Sequence, residues 1–204
     1  MPTSGPRRLA CVALFVGVVL LAGAADAQTY RIDPEHSSAG FSVIHFGILR
    51  ERGEFKRASG TIVVDPGGIA GGSIGVVIEL ASVDTGWDLR DDFLRGPSMF
   101  DVARYPRIRF RSRHLEYRDH RVVAAEGDIT LHGVTRPLRL EVNNLVCGHI
   151  ATDGREGCDA TVTGRVQRRE FGISFAYPIV GDDVDLEFTI AAFRVGRETE
   201  AEAE

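Results

Sequence analysis

The chain has 204 residues, 29 of them acidic and 24 basic, which gives a formal net charge of −5 at pH 7. This acidic balance rules out bulk attraction to phosphate backbones, so the chain is not a general electrostatic binder of nucleic acid. Since it contains no repeat, linker or low-complexity segment, its length suits one domain with a hydrophobic core.

The N-terminus has the pattern of a secretory signal peptide. An arginine pair at 7–8 precedes an apolar run over 9–22, and Ala-Asp-Ala at 25–27 puts small residues where a signal peptidase reads. The apolar run is shorter than the ~20 residues of a membrane-spanning helix. We predict that residues 1–27 are cleaved after Ala27, leaving 177 residues of net charge −6 in the periplasm or outside the cell.

The rest of the chain has a dominant period of two, which is typical of β-strands. Short segments rich in β-branched and aromatic residues are separated by turn signals, such as the one at 65–68. Eight strands are predicted, over 39–45, 61–65, 73–82, 107–117, 122–131, 136–146, 160–167 and 183–193. One short helix, beginning at Asp88 and stopped by Gly96 and Pro97, is predicted between the third and fourth strands.

Eight strands with one apolar face each predict an all-β domain over 28–196, closed into an eight-stranded antiparallel up-and-down barrel. A β-sandwich is the alternative that the strand count leaves open. Residues 197–204 carry glutamates and no large apolar side chain, which predicts a disordered acidic tail.

The segment at 107–114, RIRFRSRH, places an arginine at every second position. The arginines share one face of the predicted strand, and Ile108 and Phe110 share the other. A nucleic-acid platform needs aromatic rings on the same face as the basic groups. We therefore interpret the row as the solvent-exposed side of a barrel strand. Outward acidic residues on neighbouring strands are candidates for cross-strand pairing: Glu116, Glu141, Asp185 and Glu187.

Two cysteines remain after the predicted cleavage, Cys147 and Cys158. In an oxidising compartment such a pair predicts a disulfide that closes the intervening loop. A metal site that uses both sulfurs and His149 is the alternative. It lacks a fourth ligand nearby and any familiar spacing.

Five segments resemble the YceI family in order: 30–48, 52–65, 82–112, 126–142 and 171–193. The most specific motifs lie in the third segment: Thr85-Gly86, Arg90-Asp91, Leu94, Phe100-Asp101, Tyr105-Pro106 and Phe110-Arg111-Ser112. The resemblance implies an exported, lipocalin-like barrel that binds polyisoprenoids or other long-chain amphiphiles in its interior. The family has no shared catalytic centre. The loop between the two cysteines departs from the family's pattern.

We therefore expect a non-enzymatic protein that binds, sequesters or transports a polyisoprenoid or another long-chain amphiphilic lipid. No catalytic residue, cofactor or metal is predicted, because the chain contains no HExxH motif and no pair of histidines at metal-ligand spacing. The expected partner is a polyisoprenoid, a quinone or a fatty-acid-like molecule. Nucleic acid and stable membrane insertion are not expected, and a homodimer stays open. The alternative is a stress-related periplasmic interaction protein whose barrel is fully packed.

Strand parity and the helix together predict the residues that meet the ligand. They are Phe41, Val43, His45, Val64, Val76, Ile78, Arg90, Phe93, Ile108, Phe110, Ile129, Leu131, Leu138, Leu140, Leu186, Phe188 and Ile190. Ala39, Ile62 and Ile74 are predicted to face the same interior.

Three polar residues are candidates for a role beyond packing. For His45 and Arg90 the sequence leaves two roles open, and for Asp91 it favours a structural one. His45 is either a hydrogen-bonded core group or a contact to the ligand's head group near the barrel rim. Arg90 lies on the helix expected to cover one mouth, where it either faces a phosphate or carbonyl of the ligand or ties the helix to the barrel. Its neighbour Asp91 is assigned to such a tie.

Overall fold

The computed structural model describes residues 27–64, 71–149 and 155–196. The predicted signal peptide apart from Ala27, the predicted turn at 65–68 and the predicted acidic tail at 197–204 lie outside the described residues. None of the helices in the described part is long and apolar enough to cross a membrane.

Eleven strands and one α-helix make up the described residues. The strands are β1 (Gln28–Ile32), β2 (Ser38–His45), β3 (Leu49–Phe55), β4 (Ala58–Val64), β5 (Ser73–Glu79), β6 (Val83–Asp84), β7 (Arg107–Arg118), β8 (Arg121–Leu131), β9 (Val134–His149), β10 (Glu156–Gln167) and β11 (Val180–Arg194). The helix α1 spans Asp88–Arg95, and short 3-10 helices lie at Leu80–Ser82 and Arg168–Phe171. All eight predicted strands and the predicted helix are present. The last three residues of the predicted third strand form the first 3-10 helix instead.

The strands close into an eight-stranded antiparallel barrel, as predicted, and a sandwich is excluded. β1 and β2 act as one interrupted strand, and β3 and β4 as another, because β1 pairs with β4 while β2 pairs with β3. From β4 the order continues β5, β7, β8, β9, β10 and β11. β11 then pairs with both β2 and β1, which places Leu186 opposite Phe41 and Ala192 opposite Ile32 and closes the ring.

The interruption between β1 and β2 is a side-chain-stabilised turn at 33–37. The Asp33 carboxylate accepts the Glu35 N–H at 2.9 Å and lies 2.9 Å from Nδ1 of His36. Asp followed by Pro in such a turn breaks the ladder without leaving its backbone groups unsatisfied. The long strand therefore bends at this point and stays in the barrel wall.

The outer surface is charged and its ion pairs run across strands. On β7, Arg107, Arg109 and Arg111 are exposed while Ile108 and Phe110 are buried, as predicted. A bulge after Ser112 shifts the alternation, so Arg113 and His114 are both exposed. Three of the four acidic candidates pair with other arginines: Arg139 binds Glu116 and Glu141, together with Glu126, and Asp185 binds Arg50 and Arg165. Glu187 forms no ion pair within the described residues. These exposed pairs contribute little stability individually.

The helix α1 lies beside β6 at one end of the barrel, which we call the closed end. The Asp91 carboxylate accepts the N–H and the hydroxyl of Thr85, at 2.9 and 2.6 Å. Arg90 donates to the carbonyl of Thr85 and to Glu51 of β3, at 2.9 and 2.7 Å. The expected tie between helix and barrel is therefore present, and both residues of the Arg90-Asp91 motif take part in it.

Candidate binding site

One half of the barrel is hollow. A cavity of about 350 Å³ lies inside β1, the start of β2, β4, β5 and β7 to β11, a size within the ~300–1,000 Å³ of small-molecule sites. Ten residues of the predicted set line it: Val64, Val76, Ile78, Ile108, Phe110, Ile129, Leu138, Leu140, Phe188 and Ile190. The expected interior residues Ala39, Ile62 and Ile74 line it as well. The wall is thus built from aliphatic side chains at every second position of the strands.

The cavity has its mouth at the end opposite α1. Residues near the outer ends of eight strands reach its wall there, among them Gln28 of β1, Arg121 of β8 and Cys158 of β10. The polar side chains of the wall gather at this end: Gln28, Tyr30, Tyr117, His120 and Arg121. The site is an apolar tube with a polar rim on one side only.

The other half of the barrel is packed. The rings of Phe41, Phe55 and Phe100 form a chain, with centroids 5.3 and 5.7 Å apart. Leu80, Val83 and Phe171 are fully buried beside them. The interior is therefore hollow in one half and filled in the other, because this cluster of large side chains occupies the closed end.

Seven residues of the predicted set are not in the cavity wall: Phe41, Val43, His45, Arg90, Phe93, Leu131 and Leu186. Leu131 belongs to the packed core, and Phe41 and Leu186 pack against it. Val43 and His45 lie on the last part of β2, where His45 pairs with Leu49 and Val180 far from the mouth. Strand parity places a residue on a face but not at a height along the barrel, which is why these residues were grouped with the wall.

The two helix residues of the set have structural contacts. Arg90 forms the tie to Thr85 and Glu51, and its side chain is at the closed end. The Phe93 ring packs edge-on against Phe175 with centroids 4.9 Å apart. α1 therefore lies away from the cavity. Because Arg90 and His45 are both outside the cavity wall, their positions do not support the hypothesis that either one contacts the ligand's head group.

The wall also contains residues that the sequence pattern missed: Gln28, Tyr30, Ile32, Ala58, Tyr117, His120, Arg121, Val122, Ala125, Val142, Leu145, Ala160, Val162 and Ala192. A signal for some of them was present, since Ala160 and Val162 stand opposite Ile190 and Phe188 in the ladder. Leu145 had none, because the pairing irregularity between β9 and β10 and the positive φ of Asn144 (50°) shift the alternation.

Burial raises the pKa of the Tyr30 phenol, and the negative charge of Glu156 adds to the effect. The phenol therefore stays neutral around physiological pH. Its hydroxyl donates to Oε1 of Gln28 at 2.8 Å. This buried polar group of the rim is thus uncharged and hydrogen-bonded, which is compatible with an apolar chain beside it.

A disulfide joins Cys147 of β9 to Cys158 of β10, and both residues line the cavity near its mouth. Since both sulfurs are bonded to each other, the alternative metal site with His149 is not formed. Over 27–64, 71–149 and 155–196, no three His, Cys, Asp or Glu side chains converge on a point that could hold a metal ion.

We expect Cys147 and Cys158 of the protein, purified without reductant, to show no free thiol until it is reduced, and its melting temperature to fall on reduction. Closing a loop of this length stabilises the folded state by roughly 3 kcal/mol, because the bridge lowers the conformational entropy of the unfolded chain. Thiol labelling read by mass spectrometry, with scanning calorimetry on both forms, measures this. The Cys147→Ser/Cys158→Ser variant is the control, because reductant should leave its melting temperature unchanged. Labelling of two thiols in the unreduced protein would contradict the bridge.

Comparison with known proteins shows that most of this chain is similar to one protein family. Residues 30–192 match the YceI-like domain. The chain is 32% identical over 179 residues to the protein YceI of Escherichia coli O6:H1, covering 86% of this chain and 92% of the relative. It is 30% identical over 158 residues to a UPF0312 protein of Vibrio cholerae, covering 76% and 83%.

Solved structures share the barrel. A Campylobacter jejuni YceI protein superposes with a TM-score of 0.63 at 26% identity, over 75% of this chain and 90% of that one. BcnA of Burkholderia cenocepacia gives 0.64 at 23%, over 78% and 98%. A polyisoprenoid binding domain from Saccharophagus degradans gives 0.57 at 16%, over 81% and 98%. The last two likenesses concern the fold alone.

Proposed function

The chain belongs to the YceI family, and we propose that it binds a polyisoprenoid or another long-chain amphiphilic lipid in the hollow half of its barrel. In this role it sequesters or carries the lipid and catalyses no reaction on it. The observation that carries the proposal is the cavity itself, which has an aliphatic wall, a polar rim at one end and a packed closed end.

This shape suits a chain-like guest that enters tail first. Each methylene moved from water into the cavity contributes roughly 0.8 kcal/mol, so a prenyl or acyl chain gains affinity with every unit that fits. The packed aromatic half would set a limit to the chain length admitted. The polar head would stay at the rim, where hydrogen-bonding groups and solvent are available.

The comparisons support the same conclusion at a coarser level. The Saccharophagus degradans domain, named for polyisoprenoid binding, shares the fold. The YceI proteins match nearly the whole barrel at 32% identity. A binding role also agrees with the described wall, which is aliphatic over most of its area and carries its few titratable groups at the rim.

We further propose that the protein acts in the periplasm or outside the cell. The proposal rests on the N-terminal pattern, in which two arginines, an apolar run and Ala-Asp-Ala end at Ala27. The disulfide at the mouth supports it, since such bonds persist in oxidising compartments.

Filling the cavity from within tests the binding role. We expect Ala160→Phe to abolish uptake of an added polyprenol while leaving the melting temperature unchanged or raised, because Ala160 lines a space that can accept a ring. Titration of delipidated protein and calorimetry measure both effects. Thr161→Phe, one position along β10 on the opposite face, is the matched control and should bind like the wild type. A strong loss of stability in Ala160→Phe with normal uptake would contradict the proposal.

A second candidate, an interaction role, is favoured by the closed end. Nine large apolar side chains are exposed there: Phe46, Ile48, Leu49, Trp87, Leu89, Phe93, Phe175, Tyr177 and Ile179. They come from the β2–β3 turn, α1 and the segment before β11, which adjoin through the Phe93–Phe175 contact and the Phe46 N–H to Ile179 carbonyl bond. Such an apolar surface marks an interaction site, and a second copy of the chain is the occupant we propose.

The area fits that occupant, because nine side chains exposed to this degree amount to roughly 800–1,000 Å², the size of one side of a standard interface. We expect a dimer at micromolar concentration in sedimentation equilibrium. Ile48→Asp combined with Leu89→Asp should give a monomer that still takes up lipid. If the wild-type protein is still a monomer at a concentration about 100-fold above that of the sedimentation experiment, this surface is not a dimer contact.

A further inference from the structure

The polar rim of the cavity carries a net positive charge among the described residues. Of its five polar side chains, Arg121 is charged and His120 is the other basic group, while Gln28, Tyr30 and Tyr117 are neutral. No aspartate or glutamate of the described ranges lines the cavity. A neutral guest would need none of this charge.

Arg121 is the one arginine of the described ranges that lines the cavity. Like Arg107 and Arg109 on the outer face of β7, it makes no salt bridge or hydrogen bond with a side chain in those ranges. Other arginines of the barrel exterior do pair with carboxylates, and Arg139 binds three. The nearest strand partner of Arg121 is Arg118, a second cation, whose own contact is Glu116 at 3.5 Å. The guanidinium at the mouth is therefore uncompensated within this part of the chain.

The turn between β7 and β8 places this group. Asp119 and His120 have φ of 48° and 62°, the conformation of a tight hairpin turn that matches the twist of the flanking strands. Arg121 follows directly as the first residue of β8, and Val122 behind it is buried in the cavity wall. Asp119 lies in the same turn but is not part of the wall. The basic group thus stands at the entrance, one residue from the apolar lining.

We infer that the lipid has an anionic head, a carboxylate or a phosphate, and that Arg121 binds it at the mouth. This inference rests on the proposed function. A guanidinium offers parallel N–H donors that match two oxygens of either anion, which makes such pairs stronger than bonds between neutral groups. The tail then occupies the aliphatic tube. Prenyl phosphates and fatty acids belong to the class of ligand, and neutral alcohols and quinones with the same chain bind more weakly.

The test compares ligands that differ only in the head. Delipidated wild-type protein is titrated with farnesyl monophosphate and with farnesol, and with oleate and oleyl alcohol. In each pair the anion should bind about ten-fold tighter, the size of one charge-assisted contact at a solvated site. Raising the salt concentration should reduce this preference. Oleate against farnesyl monophosphate then tells which anion the site prefers.

The Arg121→Gln variant should lose the preference and bind each anion as weakly as its alcohol. Its unchanged affinity for the alcohols reports that the barrel is folded and the tube intact. Arg109→Gln removes the same charge from the outer face of β7 and should keep the preference.

The outcomes separate the two claims. If no chain of either kind binds, the proposed function fails. If alcohols and anions bind equally well to the wild type, or if Arg109→Gln lowers the preference as much as Arg121→Gln, the anionic head at Arg121 is overturned while lipid binding stands.

Discussion

Replacing Phe110 with arginine is expected to abolish lipid binding. Phe110 is 7% exposed on β7, between Val76 of β5 and Ile129 of β8, and its side chain lines the cavity. A guanidinium at this depth must be hydrated or paired, and no carboxylate of the described ranges lines the tube to pair with it. Water drawn into the tube would remove the apolar surface that holds the chain. We expect affinity for a polyprenol to fall by about 100-fold or more, roughly 3 kcal/mol or more.

The companion variant Phe110→Ala separates a cavity wall from a solid core. In a packed core such a truncation costs about 3 to 5 kcal/mol of unfolding free energy. A ring with one side on a cavity has fewer contacts to lose, so we expect a cost below about 3 kcal/mol together with altered chain-length preference. Denaturant titrations and lipid titrations measure the two quantities. Arg109→Ala, one position away on the outer face, should change neither. The full core cost with unchanged lipid binding would count against the wall assignment.

Loss of Arg168 should give the largest stability effect. This residue is 5% exposed, and its guanidinium donates to four backbone carbonyls, those of Gly181 (2.8 Å), Ile173 (3.2 Å), Phe175 (2.9 Å) and Val180 (2.8 Å). These bonds fasten the segment before β11 across the closed end. Burial lowers the pKa of Arg168, and Asp182, paired with its neighbour Arg169, counteracts this.

Arg168→Met fills a similar volume but leaves those carbonyls without their donor, which costs about 3 to 5 kcal/mol for a buried charged hydrogen-bonding group. In a domain of this size the melting temperature should fall by roughly 6–20 °C. Calorimetry compares it with Arg165→Met, an exposed arginine on the barrel exterior, for which we expect only a small change. Equal effects of the two substitutions would show that the carbonyl contacts contribute no more than a surface pair.

The parts of the fold that follow from residue alternation could be predicted, and the others could not. An exposed residue followed by a buried one, as at Arg109 and Phe110, recurs in eight segments. This alternation was enough to predict the barrel. β3 was not predicted as a strand, because two of its inward positions carry Glu51 and Gly53 instead of apolar side chains. A Cβ at Gly53 would lie 2.6 Å from the Phe41 ring, so this strand supplies space for a side chain from its neighbour. β1 and β6 are too short, at five and two residues, to establish a period.

The candidate site was predictable in its composition and not in its position. Ile108 and Leu140 could be assigned to the interior because alternation decides the face. That Phe41 faces a packed core while Phe188 faces a cavity depends on which side chains the other strands bring to the same height. The residues of the mouth could not be predicted from the sequence, because Arg121 follows a bulged hairpin in which the alternation of faces is interrupted. Tertiary register, not local pattern, brings these groups together.

Native mass spectrometry of the protein, purified without detergent, tests lipid binding most directly. We predict one bound molecule per chain, seen as a mass above that of the disulfide-bonded polypeptide and released on activation as a long-chain amphiphile. Protein stripped of its lipid should take up one equivalent of added prenyl or acyl ligand, and Phe110→Arg should take up none. A clean polypeptide mass in the wild type, with no uptake of any added chain, would contradict the account and leave a barrel whose function lies on its outer surface.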